Sequence, residues 1–522
     1  MAFPNKLSLS LTDAFGKLIQ ATVLHQLNVC VQTARCPNPT RLTQLNEAYR
    51  AWAILFVITV RMVSAEMTDE RRQTYEPKIV ALVCNWCTYA GADMAGTTRL
   101  QYPPSVRAIR LPCTGRIDPV FIIKAFEHGA DAVLVSGCHP GDCHYLRGNY
   151  IARRRFITFR ELMQFIGLQM ERLQFSWVSA SEGAKWAQLV TQITSEVASL
   201  GPMTAKWGEV HPDGAKQIEL PKLSVERKLS PITKSSYEHM TGELRSLAKK
   251  LLGNGDVGVI IGYSMGRLGN IIPTFITSQD ETELLMLNER CVHNLSVYLT
   301  NQLVTKFGRV GIVAKGCDIR AINVLIQENK LSREQVFVIG VDCNGVLLNG
   351  DVAFKCYSCA VRRPKFYDHL IESKTEVEQS IMPDPRDELV SFMESLSPDE
   401  RWDFWMSQFA KCIRCYACRA ACPMCYCEPC IAERNRPQWI PTTVDGKGNL
   451  TWNLVRSAHL IGRCVSCDEC YRSCPMGIRL DLINRKLYNV VRQMFGYEAG
   501  FDAQVHPPLT TFREDDLAEF IR

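Results

Sequence analysis

KIVALVCNWCTYAGAD, residues 78–93, decides the first part of the fold. Its opening apolar run has the length of a strand buried on both faces, and Cys84 and Cys87 close it ahead of a small-residue helix near Ala90. The alternation then repeats. The strand RAIRL is closed by Cys113, a helix covers residues 118–128, and the strand in ADAVLVSG is followed by Cys138 and Cys143 in GCHPGDC. Strands alternating with helices make a parallel sheet, whose ligand-binding edge lies at the strands' carboxyl ends. Five thiols therefore meet at one edge; four suffice to hold a cluster, and sequence leaves open which one is spare. His139 and His144 read either as hydrogen-bond partners of that site or as plain polar surface. Arg153 to Arg155 read most simply as a solvated helix face, with docking to an acidic partner as the sharper alternative.

Upstream, residues 1–66 show no clear period, and we read Met67 as the natural start, with Cys30 and Cys36 ligating nothing. The longest apolar run, residues 51–60, is roughly half of what a membrane span needs, and no signal peptide opens the chain. A cytoplasmic protein without a membrane span is the expectation. The 60 basic and 54 acidic residues are spread without a long basic run, so nothing asks for nucleic acid. The 23 cysteines stand out. They cluster at short intervals, as metal ligands do and disulfide partners in small secreted domains do not.

Downstream, helical signals continue to about Leu200, and residues 201–235, with four prolines among polar residues, read as a linker. A second α/β unit follows: DVGVIIGYS, a long amphipathic helix over residues 281–306, then RVGIVAKG and QVFVIGVD. Beyond Asp384 the signals are helical and end in a helix over residues 480–495. The expected organisation is an extension (1–66), a first α/β domain (77–200), a linker (201–235), a second α/β domain (236–400), a mainly helical dicluster domain (401–495) and a polar tail (496–522).

The strongest chemical signal is a doubled C-x2-C-x2-C-x3-C-P run: Cys412, Cys415, Cys418 and Cys422, then Cys464, Cys467, Cys470 and Cys474. This is the bacterial ferredoxin arrangement, in which the fourth cysteine of each run reaches the other cluster. We expect Cys412, Cys415, Cys418 and Cys474 to hold one [4Fe-4S] cluster and Cys464, Cys467, Cys470 and Cys422 a second. The doubled run with its terminal prolines favours iron-sulfur over zinc. Cys317, Cys343, Cys356, Cys359, Cys425, Cys427 and Cys430, with Cys291 as a further candidate, recur at intervals suited to one or two extra [4Fe-4S] clusters. Gly262, Gly266 and Gly269 in GYSMGRLGN form an irregular glycine-rich turn, which reads equally as a structural turn or a dinucleotide site.

Residues 78–155, with CNWCTYAGAD, the lone Cys113 before GR, GADAVLVSGCHPGDCHYLRGN and the RRR that follows, resemble the delta subunit of methyl-viologen-reducing hydrogenase. The resemblance implies a [2Fe-2S] connector between a hydrogenase or formate dehydrogenase and the flavin subunit of heterodisulfide reductase, with ligands among Cys84, Cys87, Cys113, Cys138 and Cys143. Fusion to a large C-terminal part departs from that small family. AKGCDIRAI, GVDCNG, KCYSCAVRRPKFYDHLI and CIRCYACRAACPMCYCEPC are more loosely similar to beta subunits of deazaflavin-linked hydrogenases and formate dehydrogenases, which implies room for FAD. No Ser-His-Asp or paired-carboxylate constellation offers acid-base catalysis. Two readings follow. One is an electron-transfer subunit linking such a donor to a heterodisulfide-reductase-like complex. The other is an FAD-containing oxidoreductase taking hydride from NAD(P)H or reduced deazaflavin and passing single electrons to its clusters.

Overall fold

The computed structural model describes residues 75–203, 207–209, 218–223, 232–377 and 381–522. The expected extension, with Cys30, Cys36 and Met67, lies outside the described residues.

The first unit builds β1 (Ile79–Cys84), α1 (Thr88–Thr97), β2 (Val106–Leu111), α2 (Pro119–Glu127), β3 (Ala132–Gly137), α3 (Gly148–Ile166), β4 (Leu173–Trp177) and α4 (Gly183–Leu200). The sheet is parallel throughout, in the order β2-β1-β3-β4. β3 is buried along its whole length, as expected of a strand covered by helices on both faces. α2 starts where Asp118 accepts the Val120 amide and Pro119 fills the first helical position. β4 corrects the expectation of helix up to Leu200. LQFSW alternates apolar and polar residues as a strand does, and Ser176 is buried and donates to Ser136 at 2.7 Å inside the sheet.

The second unit contains α5 (Lys234–Asn254), β5 (Val259–Met265), β6 (Ile271–Ile276), α6 (Gln302–Thr305), β7 (Val310–Ala314), α7 (Gly316–Gln327), β8 (Val336–Val341), the small β9 (Leu347–Leu348) and β10 (Asp351–Val352) hairpin, and β11 (His369–Ile371). Its main sheet runs β11-β8-β7-β5-β6, with β6 antiparallel. The long helix expected over residues 281–306 is not formed. Two 3-10 turns, Asp280–Leu284 and Leu295–Thr300, and the short α6 occupy the stretch. Side chains capture the backbone there: Asp318 accepts the Leu295 amide at 2.6 Å and Asn294 that of Ser296.

The C-terminal region is helical as expected: α8 (Arg386–Ser395), α9 (Pro398–Ala410), α10 (Ala417–Ala420), α11 (Gly446–His459), α12 (Glu469–Arg472) and α13 (Leu480–Phe495). Ser397 and Glu400 form a capping box at the start of α9. This region packs on the first unit, α13 along α3 and α11 along α2. Thr451 donates to Glu127, and His459 pairs with Asp118 at 3.1 Å. The expected linker is anchored where Trp207 is buried between Phe126 and Trp402.

Two polar readings are corrected. Arg153 and Arg154 are not a solvated face but are buried under the C-terminal tail, where Arg154 grips Asp516 with two hydrogen bonds at 2.5 and 2.8 Å. The tail, expected to be polar, packs Phe520 against Phe156 and Phe175 and pairs Ile521 with the edge strand β4. Among the described residues no helix is long and apolar enough to cross a membrane.

Candidate iron-sulfur centres

The three strand ends of the first unit bring Cys84, Cys87, Cys113, Cys138 and Cys143 into one buried group. The sulfurs of Cys84, Cys87 and Cys138 lie within 4.8 Å of one another. Cys138 stands 2.6 Å from Cys87 and 3.6 Å from Cys84. The thiols share protons. The contact with Cys138 pulls Cys84 down to about 6 and pushes Cys138 up, while burial raises Cys113 to about 11. A buried set of interacting thiols trades its protons for metal readily, because cations relieve the repulsion that otherwise keeps most of them neutral. Gly148, opening α3, lets the backbone pass close beneath this group: an added Cβ would collide with the Cys113 sulfur and crowd that of Cys143 at 3.3 Å. Neither loop histidine turns to the thiols. His144 stacks on Trp86 with centroids 3.8 Å apart, and His139 pairs with Glu182 at 2.6 Å.

The doubled motif folds twice in the same way. Arg414 and Tyr416 flank Cys415 with positive φ, and Ser466 and Asp468 flank Cys467 likewise, at 56°, 59°, 58° and 61°. These left-handed residues coil each loop so that successive cysteines turn inward before the short helices α10 and α12. Two of the thiols have neighbours of the kind a crosswise arrangement needs, and both also face Cys425. Cys418 feels Cys412 and Cys474, whereas Cys422 feels Cys467 of the other run. Asn449 of α11 donates to the Cys412 carbonyl at 2.9 Å, and Asn484 of α13 donates to the Cys470 sulfur at 3.2 Å. Buried Arg386 ties Asp384, Asp468 and Ser466 together behind the second loop.

The remaining cysteines divide. Cys317 opens α7, Cys343 follows β8, and Cys356 and Cys359 lie in the next turn. Cys343 interacts with both Cys317 and Cys359, and Cys356 with both Cys343 and Cys359. Burial raises Cys317, Cys343 and Cys356 to about 12. Cations stand around them. Buried Lys355 lies 3.8 Å from Glu469, and buried Arg362 donates to the Cys356 carbonyl at 3.1 Å while its Nε and Nη1 make no hydrogen bond within the chain. Such orphaned donors fit an anionic cluster that would accept from them. Cys425 contacts Cys422 and, like Cys430, lies near Arg419, while Cys427 is exposed near Arg463 and lines one cavity with Cys422 and Cys425. Cys291 is buried against Asn288.

GYSMGRLGN forms the β5–β6 hairpin, the structural-turn reading of the two that its glycines allow. Gly262 lies within β5 against Leu285, and Gly266 and Gly269 make the turn, where Gly269 has φ 73°. An antiparallel hairpin presents no helix N-terminus to receive a phosphate.

Sequence reasoning missed the orphaned arginines and the tail, because neither announces itself by spacing.

A family model described as methyl-viologen-reducing hydrogenase, delta subunit, matches residues 79–201, and one described as 4Fe-4S dicluster domain matches residues 406–479. The iron-sulfur subunit of the vhc F420-non-reducing hydrogenase of Methanococcus voltae is 51% identical over 134 residues, 26% of this chain and 93% of that protein. The corresponding iron-sulfur subunit of the F420-non-reducing hydrogenase of Archaeoglobus profundus is 49% identical over 130 residues, 25% of this chain and 95% of that one. One subunit of the ferredoxin:CoB-CoM heterodisulfide reductase of Methanosarcina mazei is 42% identical over 127 residues, 24% of this chain and 16% of its own length. Five thiols at a parallel-sheet edge, the matched model and near-complete coverage of the small relatives lead to one conclusion: the chain belongs to the methyl-viologen-reducing hydrogenase delta subunit family, joined here to a 4Fe-4S dicluster domain.

Proposed function

We propose that the chain is a multi-cluster iron-sulfur electron-transfer subunit. It takes electrons from a hydrogenase, formate dehydrogenase or similar donor and delivers them to a heterodisulfide-reductase-like flavin subunit. The observation that carries this reading is the packing of a five-thiol sheet edge and a doubled ferredoxin motif in one body, linked by α11 on α2 and by the His459–Asp118 pair. The relatives' names, those of hydrogenase iron-sulfur proteins and of a heterodisulfide reductase, support the choice of donor and acceptor.

In this reading Cys84, Cys87, Cys113, Cys138 and Cys143 supply the four ligands of a [2Fe-2S] cluster. The two runs hold two [4Fe-4S] clusters crosswise, and Cys317, Cys343, Cys356 and Cys359 hold another. Bound clusters supply one-electron redox chemistry. The chain's own part is to fix the thiolates, bury them and surround them with donors that set each potential. The domain limits expected from sequence serve that division of labour, with residues 236–400 as the beta-subunit-like unit.

The second reading is an FAD-containing oxidoreductase, whose candidate glycines Gly262, Gly266 and Gly269 lie in a β-hairpin and not at a helix N-terminus. Anaerobic reconstitution with iron, sulfide and flavin analysis, followed by EPR of the reduced protein, tests the proposal. Reducible [4Fe-4S] and [2Fe-2S] signals without flavin are expected. Absence of any reducible cluster signal overturns the electron-transfer reading, and stoichiometric flavin revives the second one. Serine replacement of each sheet-edge cysteine should abolish the two-iron signal at four positions and spare it at one.

A further inference from the structure

Arg456 lies on α11, the helix that backs the first cluster loop, and is only 4% exposed. Its Nη2 donates to the Cys418 carbonyl at 3.0 Å, while Nε and Nη1 make no hydrogen bond among the described residues. A buried guanidinium with two idle nitrogens, three N–H groups in all, is costly unless an anion receives it. The leading charges acting on it are the thiols of Cys425, Cys422, Cys470 and Cys418. In the crosswise assignment Cys418 belongs to one cluster and Cys422 and Cys470 to the other. One cation is therefore aimed at two anionic centres, and no comparable group follows from the cysteine motif itself.

We propose that Arg456 is a positioning residue that sets the reduction potentials of both dicluster centres, holding a single positive charge and two free donor nitrogens between them. The proposal rests on the iron-sulfur reading above. One-electron reduction of either cluster, with the electron supplied by the donor protein or, in the test, by dithionite, adds one negative charge and requires no bond to form or break. A fixed cation between the clusters favours that added charge on each and lessens the repulsion between two reduced neighbours. Arg456 stays protonated throughout, as guanidinium groups do in proteins.

The test is an EPR-monitored dithionite titration of the anaerobically reconstituted full chain as wild type, R456Q and R456K. R456Q is expected to lower the reduction equilibrium of both clusters about tenfold, about 59 mV for a one-electron couple. R456K, which keeps the charge but not the fork, recovers most of the shift. Unchanged potentials in R456Q, or a shift confined to one cluster, overturn the proposal. Should R456Q fail to retain iron, R456K decides. Retention of both clusters by R456K shows that the charge is what the site needs, and equal loss in R456K shows a packing role and overturns the proposal. A wild-type protein with no [4Fe-4S] signal would instead remove the iron-sulfur reading itself.

Discussion

The sheet-edge site and the dicluster loops gather thiols by opposite means. At the sheet edge, cysteines far apart in sequence are delivered by three strand ends, and among the described residues only Cys84, Cys87 and Cys138 crowd within 4.8 Å of one another. In the dicluster region the cysteines are close in sequence, left-handed residues coil each loop, and buried arginines fill the space between the loops and behind them. The first is a compact pocket of thiols that neutralise one another by sharing protons. The second is an open cradle embedded in fixed positive charge. A small cluster with closely spaced ligands suits the former, and cubanes, whose ligands sit at separated corners, suit the latter.

The sharpest way to break this comparison is to ask which cluster each cysteine serves. Cys422 belongs by sequence to the first run, and it faces Cys467 of the second run as well as Cys425; in the crosswise proposal it serves the second cluster. C422S should therefore cost the cluster held by Cys464, Cys467 and Cys470, leaving the other in place. Iron analysis together with EPR of C422S and C474S checks it, and loss of the same cluster in both variants would refute crosswise ligation.

A smaller effect separates the electrostatic settings. Asp384 is buried, and although burial alone would raise its carboxyl, Arg386 and Arg485 outweigh this and hold it at about 2. D384N should destabilise the protein by about 2 kcal/mol, because it strips one carboxylate from buried Arg386 and Arg485, which keep only Asp468 and Asp387. Denaturant unfolding at pH 7 measures it. The wild-type contribution is complete above the ordinary carboxylate value near 3.8 and is lost as pH falls through about 2.

The smallest effect is expected at the rim of the sheet-edge site. The Ser179 amide and His139 hold Glu182 at about 2. The carboxylate is 34% exposed, so after discounting for solvent screening E182Q should cost under about 1 kcal/mol in the same assay. A cost equal to that of D384N would erase the distinction between a thiol pocket lightly framed by charge and a cradle built on it.

Much of this was legible along the chain. The apolar runs before Cys84 and Cys138 and the helix over residues 118–128 are local, and the doubled C-P motifs carry their own loop geometry. β4 was missed although LQFSW alternates, because the run is short and lies between two helical stretches, and buried Ser176 finds its partner Ser136 only across the sheet. The stretch 281–306 was misread because Asp318, distant in sequence, captures one of its backbone amides. The hairpin nature of GYSMGRLGN likewise depends on β6 pairing with β5, which glycine spacing cannot reveal.

Sequence alone determined that this chain gathers thiols for iron, since short-range cysteine spacing and strand-end placement are properties of neighbouring residues. Tertiary structure alone decided what surrounds those thiols. It placed Arg456 between the two runs and Arg362 beside Cys356, and it buried Arg153 and Arg154 under the tail. Burial and charge at a point are sums over groups from distant parts of the chain, and no local pattern encodes such a sum.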